Sequence, residues 1–156
     1  PGKGTEFLVR LPLHRTAHQP IPAAPHALPS AAAQPLAPRR VLLVDDNVDG
    51  AVTLGRLLGA LGHTVEVCHD PVTALEIVAR LRPEVALLDI GLPVLDGYQL
   101  AARIRALPEG QACRLVALTG YGQDADRARS EAAGFERHLV KPISPDEAAR
   151  VVAGLQ

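Results

Sequence analysis

Four places in this chain set a charged or hydroxylic side chain beside a turn former. They are Asp45-Asp46-Asn47, Asp89 ahead of Gly91 and Pro93, Thr119-Gly120, and Lys141-Pro142. Each has a plain structural explanation. Asp-Asp-Asn is a common turn and helix cap, Asp89 can form a turn, Thr119 can open a loop, and a single lysine is usually a solvated charge. Lys141 draws notice because, of 16 basic residues, only it and Lys3 are lysines. Brought to one point, these residues have a different meaning. Three carboxylates a few ångströms apart repel, and at least one takes up a proton unless a cation sits among them. A hard divalent ion such as Mg²⁺, held by oxygen ligands, resolves the repulsion, and Lys141 adds a further positive charge. A metal beside a carboxylate, with lysine and threonine aimed at the same point, makes a site for a phosphoryl group.

The elements that would have to bring them together are legible from periodicity. Val41 to Val44 is a continuous apolar run, as a strand covered on both faces requires. A helical period follows at Ala51, Leu54, Leu58 and Leu61, and Gly62 ends it. Thr64 to Cys68 reads as a second strand, with a helix after Asp70-Pro71. Val85 to Leu88 runs into Asp89 as a third strand, followed by a helix from about Gly97 to Leu107. Leu115 to Leu118 ends in Thr119, a helix spans roughly Gln123 to Ala133, and His138 to Val140 leads to Lys141. Ser144, Pro145, Asp146 and Glu147 open a last helix. Five strands alternating with five helices predict a doubly wound α/β fold, a parallel sheet with helices on both faces. Ligands of such sheets bind beyond the carboxyl ends of the strands, and all the candidate residues fall there.

The remaining composition narrows the class. With 47% hydrophobic and 21% charged residues and a formal net charge of −1, the chain has a globular balance and no bias toward nucleic acid or an anionic membrane. No apolar run reaches the roughly 20 residues of a bilayer span. Cys68 and Cys113 make neither a disulfide framework nor a metal site and read as buried free thiols. Residues 1 to 38 differ from the rest, with eight of the 14 prolines and few charges. From His14 to Pro38 no apolar period is present, which predicts an extended Pro/Ala-rich linker. Phe7, Val9 and Leu11 ahead of it share one face, as in a half-buried strand whose sheet lies elsewhere. With Pro1 first and no methionine, the chain reads as a piece of a longer one.

Val-Asp-Asp-Asn at residues 44–47, Leu-Leu-Asp-Ile-Gly-Leu-Pro-Val-Leu-Asp-Gly at 87–97, Ala-Leu-Thr-Gly-Tyr at 117–121 and Leu-Val-Lys-Pro-Ile at 139–143 resemble the receiver domain of response regulators. The resemblance runs from Arg39 to Gln156 with every motif in order. It implies a flavodoxin-like sheet of strand order 2-1-3-4-5. It implies that Asp89 accepts a phosphoryl group from a phosphohistidine, on a kinase domain or a histidine phosphotransfer protein. Asp46, Asp89 and the Gly91 carbonyl would bind Mg²⁺ directly, and Asp45 through water. Lys141 would pair with the phosphoryl oxygens and Thr119 would hydrogen-bond one of them. Its movement would signal to the face made by the helix over 123–133, the fifth strand and the last helix. The Lys141-Pro142 peptide is expected to be cis, and the domain to catalyse its own phosphorylation and dephosphorylation. His138 departs from the pattern. Stand-alone members usually have Tyr or Phe three residues before the lysine, so the aromatic switch is expected to be altered or absent.

Residues 1–13 resemble the closing strand of a histidine-kinase ATPase domain. Followed by a linker over 14–38 and a receiver over 39–156, they suggest a hybrid sensor kinase, cytoplasmic in this part, with a homodimer as one possible assembly. Two other readings compete. A degenerate receiver would bind partners without phosphate, but all five side chains of the site are present. A phosphatase with an aspartyl-phosphate intermediate on strand one would want Asp-x-Asp there, not Asp45-Asp46.

Overall fold

The computed structural model describes residues 37–120 and 132–154. The expected amino-terminal strand, nearly all of the linker, and the helix expected over 123–133, except its last residues, lie outside the described residues. Within them the elements are β1 (Arg40–Val44), α1 (Val48–Ala60), β2 (Thr64–Cys68), α2 (Pro71–Leu81), β3 (Val85–Asp89) and α3 (Gly97–Ala106). A short 3₁₀ turn (Pro108–Gly110), β4 (Arg114–Thr119), β5 (Phe135–Val140) and α4 (Pro145–Ala153) complete them. The strands form one sheet of order β2-β1-β3-β4-β5, every pair parallel.

Strand alternation sorts the core into two layers. Leu42, Val44, Ala86, Leu88, Leu115 and Ala117 face Ala74, Ile77 and Val78 of α2 and Leu100, Ala101 and Ile104 of α3. The intervening residues Val41, Leu43, Val85, Leu87, Val116 and Leu118 face Ala51 and Leu58 of α1 and Ala148, Val151 and Val152 of α4. Each fully buried Val, Leu or Ile contributes about 1.5–3 kcal/mol, so these two layers hold the sheet in place.

Local chemistry sets the helix starts. Asn47, Asp70, Asp96 and Ser144 each accept a backbone N–H of the first turn, and Gln99 returns the bond at α3 to complete a capping box. α1 ends at Leu61, and Gly62 takes φ 93°, a left-handed conformation that suits glycine. Two expectations need correction. Leu61 is the cap rather than part of the buried stripe and is 43% exposed. β5 begins at Phe135, three residues earlier than its apolar run suggested, because an edge strand buries only alternate residues. Glu136 and His138 therefore lie exposed between Phe135 and Leu139. No helix among the described residues is long and apolar enough to cross a membrane.

Candidate functional site

β1 and β3 are neighbours in the centre of the sheet, and both end in acid. Asp45 follows Val44, and Asp89 is the last residue of β3. One carboxylate oxygen from each of Asp45, Asp46 and Asp89 lies within 4.8 Å of the others. Asp45 and Asp89 are buried and Asp46 is exposed.

Lys141 crosses from the end of β5 into this cluster. Its Nζ is 2.7 Å from Asp45 Oδ2 and 2.8 Å from Asp89 Oδ2. The Lys141 N–H donates to the Thr119 carbonyl at 2.7 Å, which fixes the start of the side chain against β4. The Lys141-Pro142 peptide is cis, as expected. Burial pulls the Lys141 ammonium down, but the hydrogen bonds and charges of Asp45 and Asp89 outweigh it. The group sits above its ordinary value and is fully charged at neutral pH. Three carboxylates still face a single ammonium, so two negative charges stay uncompensated in a largely buried place. Oxygen donors with that charge and spacing fit a hard divalent cation.

The other carboxylate oxygens are held by backbone. Asp45 Oδ1 accepts the Asn47 N–H at 3.0 Å, and Asp89 Oδ1 accepts the Gly91 N–H at 2.9 Å. Gly91 is thereby fixed beside Asp89. Thr119 is buried, and its hydroxyl donates to the Leu139 carbonyl at 3.4 Å, a long and weak bond. The loop from β3 to α3 turns tightly at Val94, which has φ 69° and is wholly exposed, with Leu95 N–H bonded to the Pro93 carbonyl. A cleft of about 660 Å³ leads away from Asp45 and Lys141 between α1 and α4, past Leu54, Leu57 and Ile143.

All five side chains picked out by residue type thus end at the same edge of the sheet. Three contributors were not foreseen. Asn47 was read only as a turn and cap, yet its N–H also orients Asp45. Gly97 was read as a helix start, but a β-carbon there would overlap the Asp89 carbonyl oxygen and come within 2.8 Å of Ile90 Cα. His69, directly after β2, places Nδ1 2.9 Å from the Asp45 carbonyl oxygen. Its position at the carboxyl end of a strand was the signal available for it.

Known proteins share this sequence pattern and fold. The sequence pattern that defines the response regulator receiver domain matches residues 41–153. A 14.6 kDa protein from the sodA1 3′ region of Leptolyngbya boryana is 35% identical over 119 residues, covering 76% of this chain and 91% of its own length. Response regulator MprA of Mycobacterium ulcerans is 35% identical over 108 residues, 69% of this chain and 46% of that one. The chain thus spans about half the length of the MprA regulators it matches. A solved structure, the receiver domain of sensor histidine kinase PA1611 from Pseudomonas aeruginosa with a magnesium ion coordinated in its active-site cleft, superposes with a TM-score of 0.67. It is 34% identical and covers 74% of this chain and 95% of its own. This chain belongs to the response regulator receiver domain family of two-component systems.

Proposed function

We propose that Asp89 accepts a phosphoryl group from a phosphohistidine, with Mg²⁺ as cofactor. One observation carries the reading: Lys141 Nζ lies 2.8 Å from Asp89 and 2.7 Å from Asp45 inside a cluster of three carboxylates. Asp46, Asp89 and the Gly91 carbonyl would hold the ion directly, and Asp45 through water. When bound, the ion neutralises the acids and the charge on the phosphoryl oxygens. An Asp89 carboxylate oxygen attacks phosphorus, the phosphorus–nitrogen bond breaks, and its electron pair returns to the imidazole. The Lys141 ammonium stabilises the phosphoryl oxygens arriving on Asp89. The Thr119 hydroxyl gives up its weak bond to Leu139 and donates to one of them. That movement reaches β5, where His138 lies exposed beside Phe135 with ring centroids 6.2 Å apart. His138 in place of the usual aromatic residue changes how the signal leaves the domain.

The phosphodonor is a histidine-kinase domain or a histidine phosphotransfer protein, and the parent is a hybrid sensor kinase with this part in the cytoplasm. Two things support that extension. Residues 1–13 resemble the last strand of a kinase ATPase domain, and a solved relative is itself the receiver of a sensor histidine kinase. The acceptor assignment is tested by incubating the chain with a small phosphodonor and Mg²⁺ and measuring intact mass. Wild type should gain one phosphoryl group and Asp89→Asn none. Equal gain by the variant would move the acceptor to another residue.

A further inference from the structure

Asp46 is the exposed member of the acid cluster, and its carboxylate has no hydrogen-bond or ion-pair partner among the described residues. Asp45 and Asp89 are each gripped by Lys141 and by a backbone N–H. Asp46 therefore depends on its backbone for its place. That backbone is clamped from β2. The Asp45 N–H donates to the Cys68 carbonyl at 3.1 Å, and the Asp45 carbonyl oxygen lies 2.9 Å from His69 Nδ1. A carbonyl only accepts, so Nδ1 carries a proton and donates. The Asp45 carbonyl and the Asp46 N–H belong to one planar peptide unit. Fixing that oxygen fixes the plane, and with it the Asp46 Cα from which the side chain leaves.

We infer that His69 is a positioning residue for the cation site, acting through the Asp45–Asp46 peptide. This rests on the reading of the acid cluster as a Mg²⁺ site. His69 touches neither the ion nor the phosphoryl group. Its imidazole reaches across from the end of β2, at the rim of a cleft it shares with Glu66, Asp70, Thr73 and Arg80.

The test uses geometry the side chains themselves provide. Asparagine sets its amide nitrogen close to where histidine has Nδ1, whereas glutamine sets it near Nε2. Mg²⁺ is titrated into the unphosphorylated protein and followed by amide NMR signals, so no turnover is needed. His69→Ala should weaken Mg²⁺ binding about three- to tenfold, the loss of one ordinary hydrogen bond. His69→Asn should stay within about twofold of wild type, and His69→Gln should behave like His69→Ala. Thermal melts of the metal-free proteins accompany the titration. Should His69→Ala fail to fold, the Asn and Gln variants still decide the matter. Wild-type affinity in His69→Ala, or recovery by Gln and not Asn, overturns the inference. Asp46→Ala separates the two claims. If it also binds Mg²⁺ normally, the cation-site reading itself falls. If it binds weakly while His69→Ala binds normally, only the role of His69 falls.

Discussion

At Gly97 the first turn of α3 and the backbone of Asp89 meet with no space between them. A β-carbon there would overlap the Asp89 carbonyl oxygen, with the Asp89 carbonyl carbon only 3.0 Å away. Alanine is the better helix former by at most about 1 kcal/mol. Overpacking against backbone costs about 1–3 kcal/mol, so the clash wins. Gly97→Ala should lower the urea midpoint, and the displaced Asp89 should slow phosphorylation more than the stability loss explains. A variant as stable and as active as wild type would mean that α3 can retreat freely. The acids, Thr119 and Lys141 were readable in the sequence because their types are out of place at the ends of apolar strands. Gly97 was not, since close backbone approach leaves no trace in neighbouring residues, and His69 was marked only by its place at the carboxyl end of a strand.

The elements were legible wherever a strand is covered on both faces. β1, β3 and β4 show continuous apolar runs, and three helices announce themselves through Asn47, Asp70 and Ser144. β5 was cut short because an edge strand exposes every second residue, and the strand order followed from family resemblance, not periodicity. At the opposite end of the sheet from the acids, His63 joins β2 to the start of β1. Its Nδ1 accepts the Arg39 N–H at 3.3 Å, and its buried Nε2 has no partner among the described residues. Burial, and then the Arg39 guanidinium, hold the imidazole below its ordinary value of 6.5. Arg39 is itself paired with Glu84 at 3.6 Å. A depressed value means the unfolded chain binds more protons between the folded value and 6.5, so stability rises with pH across that window. The contribution is complete above about pH 6.5 and fades as the pH falls below it. Wild type should lose denaturant resistance between pH 7.5 and 5.5. His63→Asn, which keeps an acceptor near Nδ1 and cannot titrate, should lose less. An equal loss in both would put the acid sensitivity on other groups.

On the scale of the whole molecule, both core layers, among the described residues, draw on Val41 to Val152. The receiver pattern likewise begins at residue 41. The first described residues with a role are Arg39 and Arg40. Arg39 accepts the Thr64 N–H at 2.8 Å and donates to His63, and Arg40 pairs in β1 and with Glu84 at 3.7 Å. The described residues from Arg39 onward thus already form a two-sided core. Phe7, Val9 and Leu11 alternate as in a half-buried strand, which under the proposed function belongs to a kinase domain. Deleting residues 1 to 38 while keeping Arg39 should leave unfolding free energy within about 0.5 kcal/mol of the full chain, the range of surface changes remote from any packed feature. The rate of phosphorylation by a small donor should stay within about twofold, because the donor needs only the site at the sheet edge. Urea denaturation and intact-mass kinetics on the two chains measure both quantities. A loss above about 2 kcal/mol, on the scale of a damaged core, would show that the amino-terminal segment packs on the receiver. The proposal that it completes a kinase domain would then fail, while Asp89 would remain testable as the acceptor.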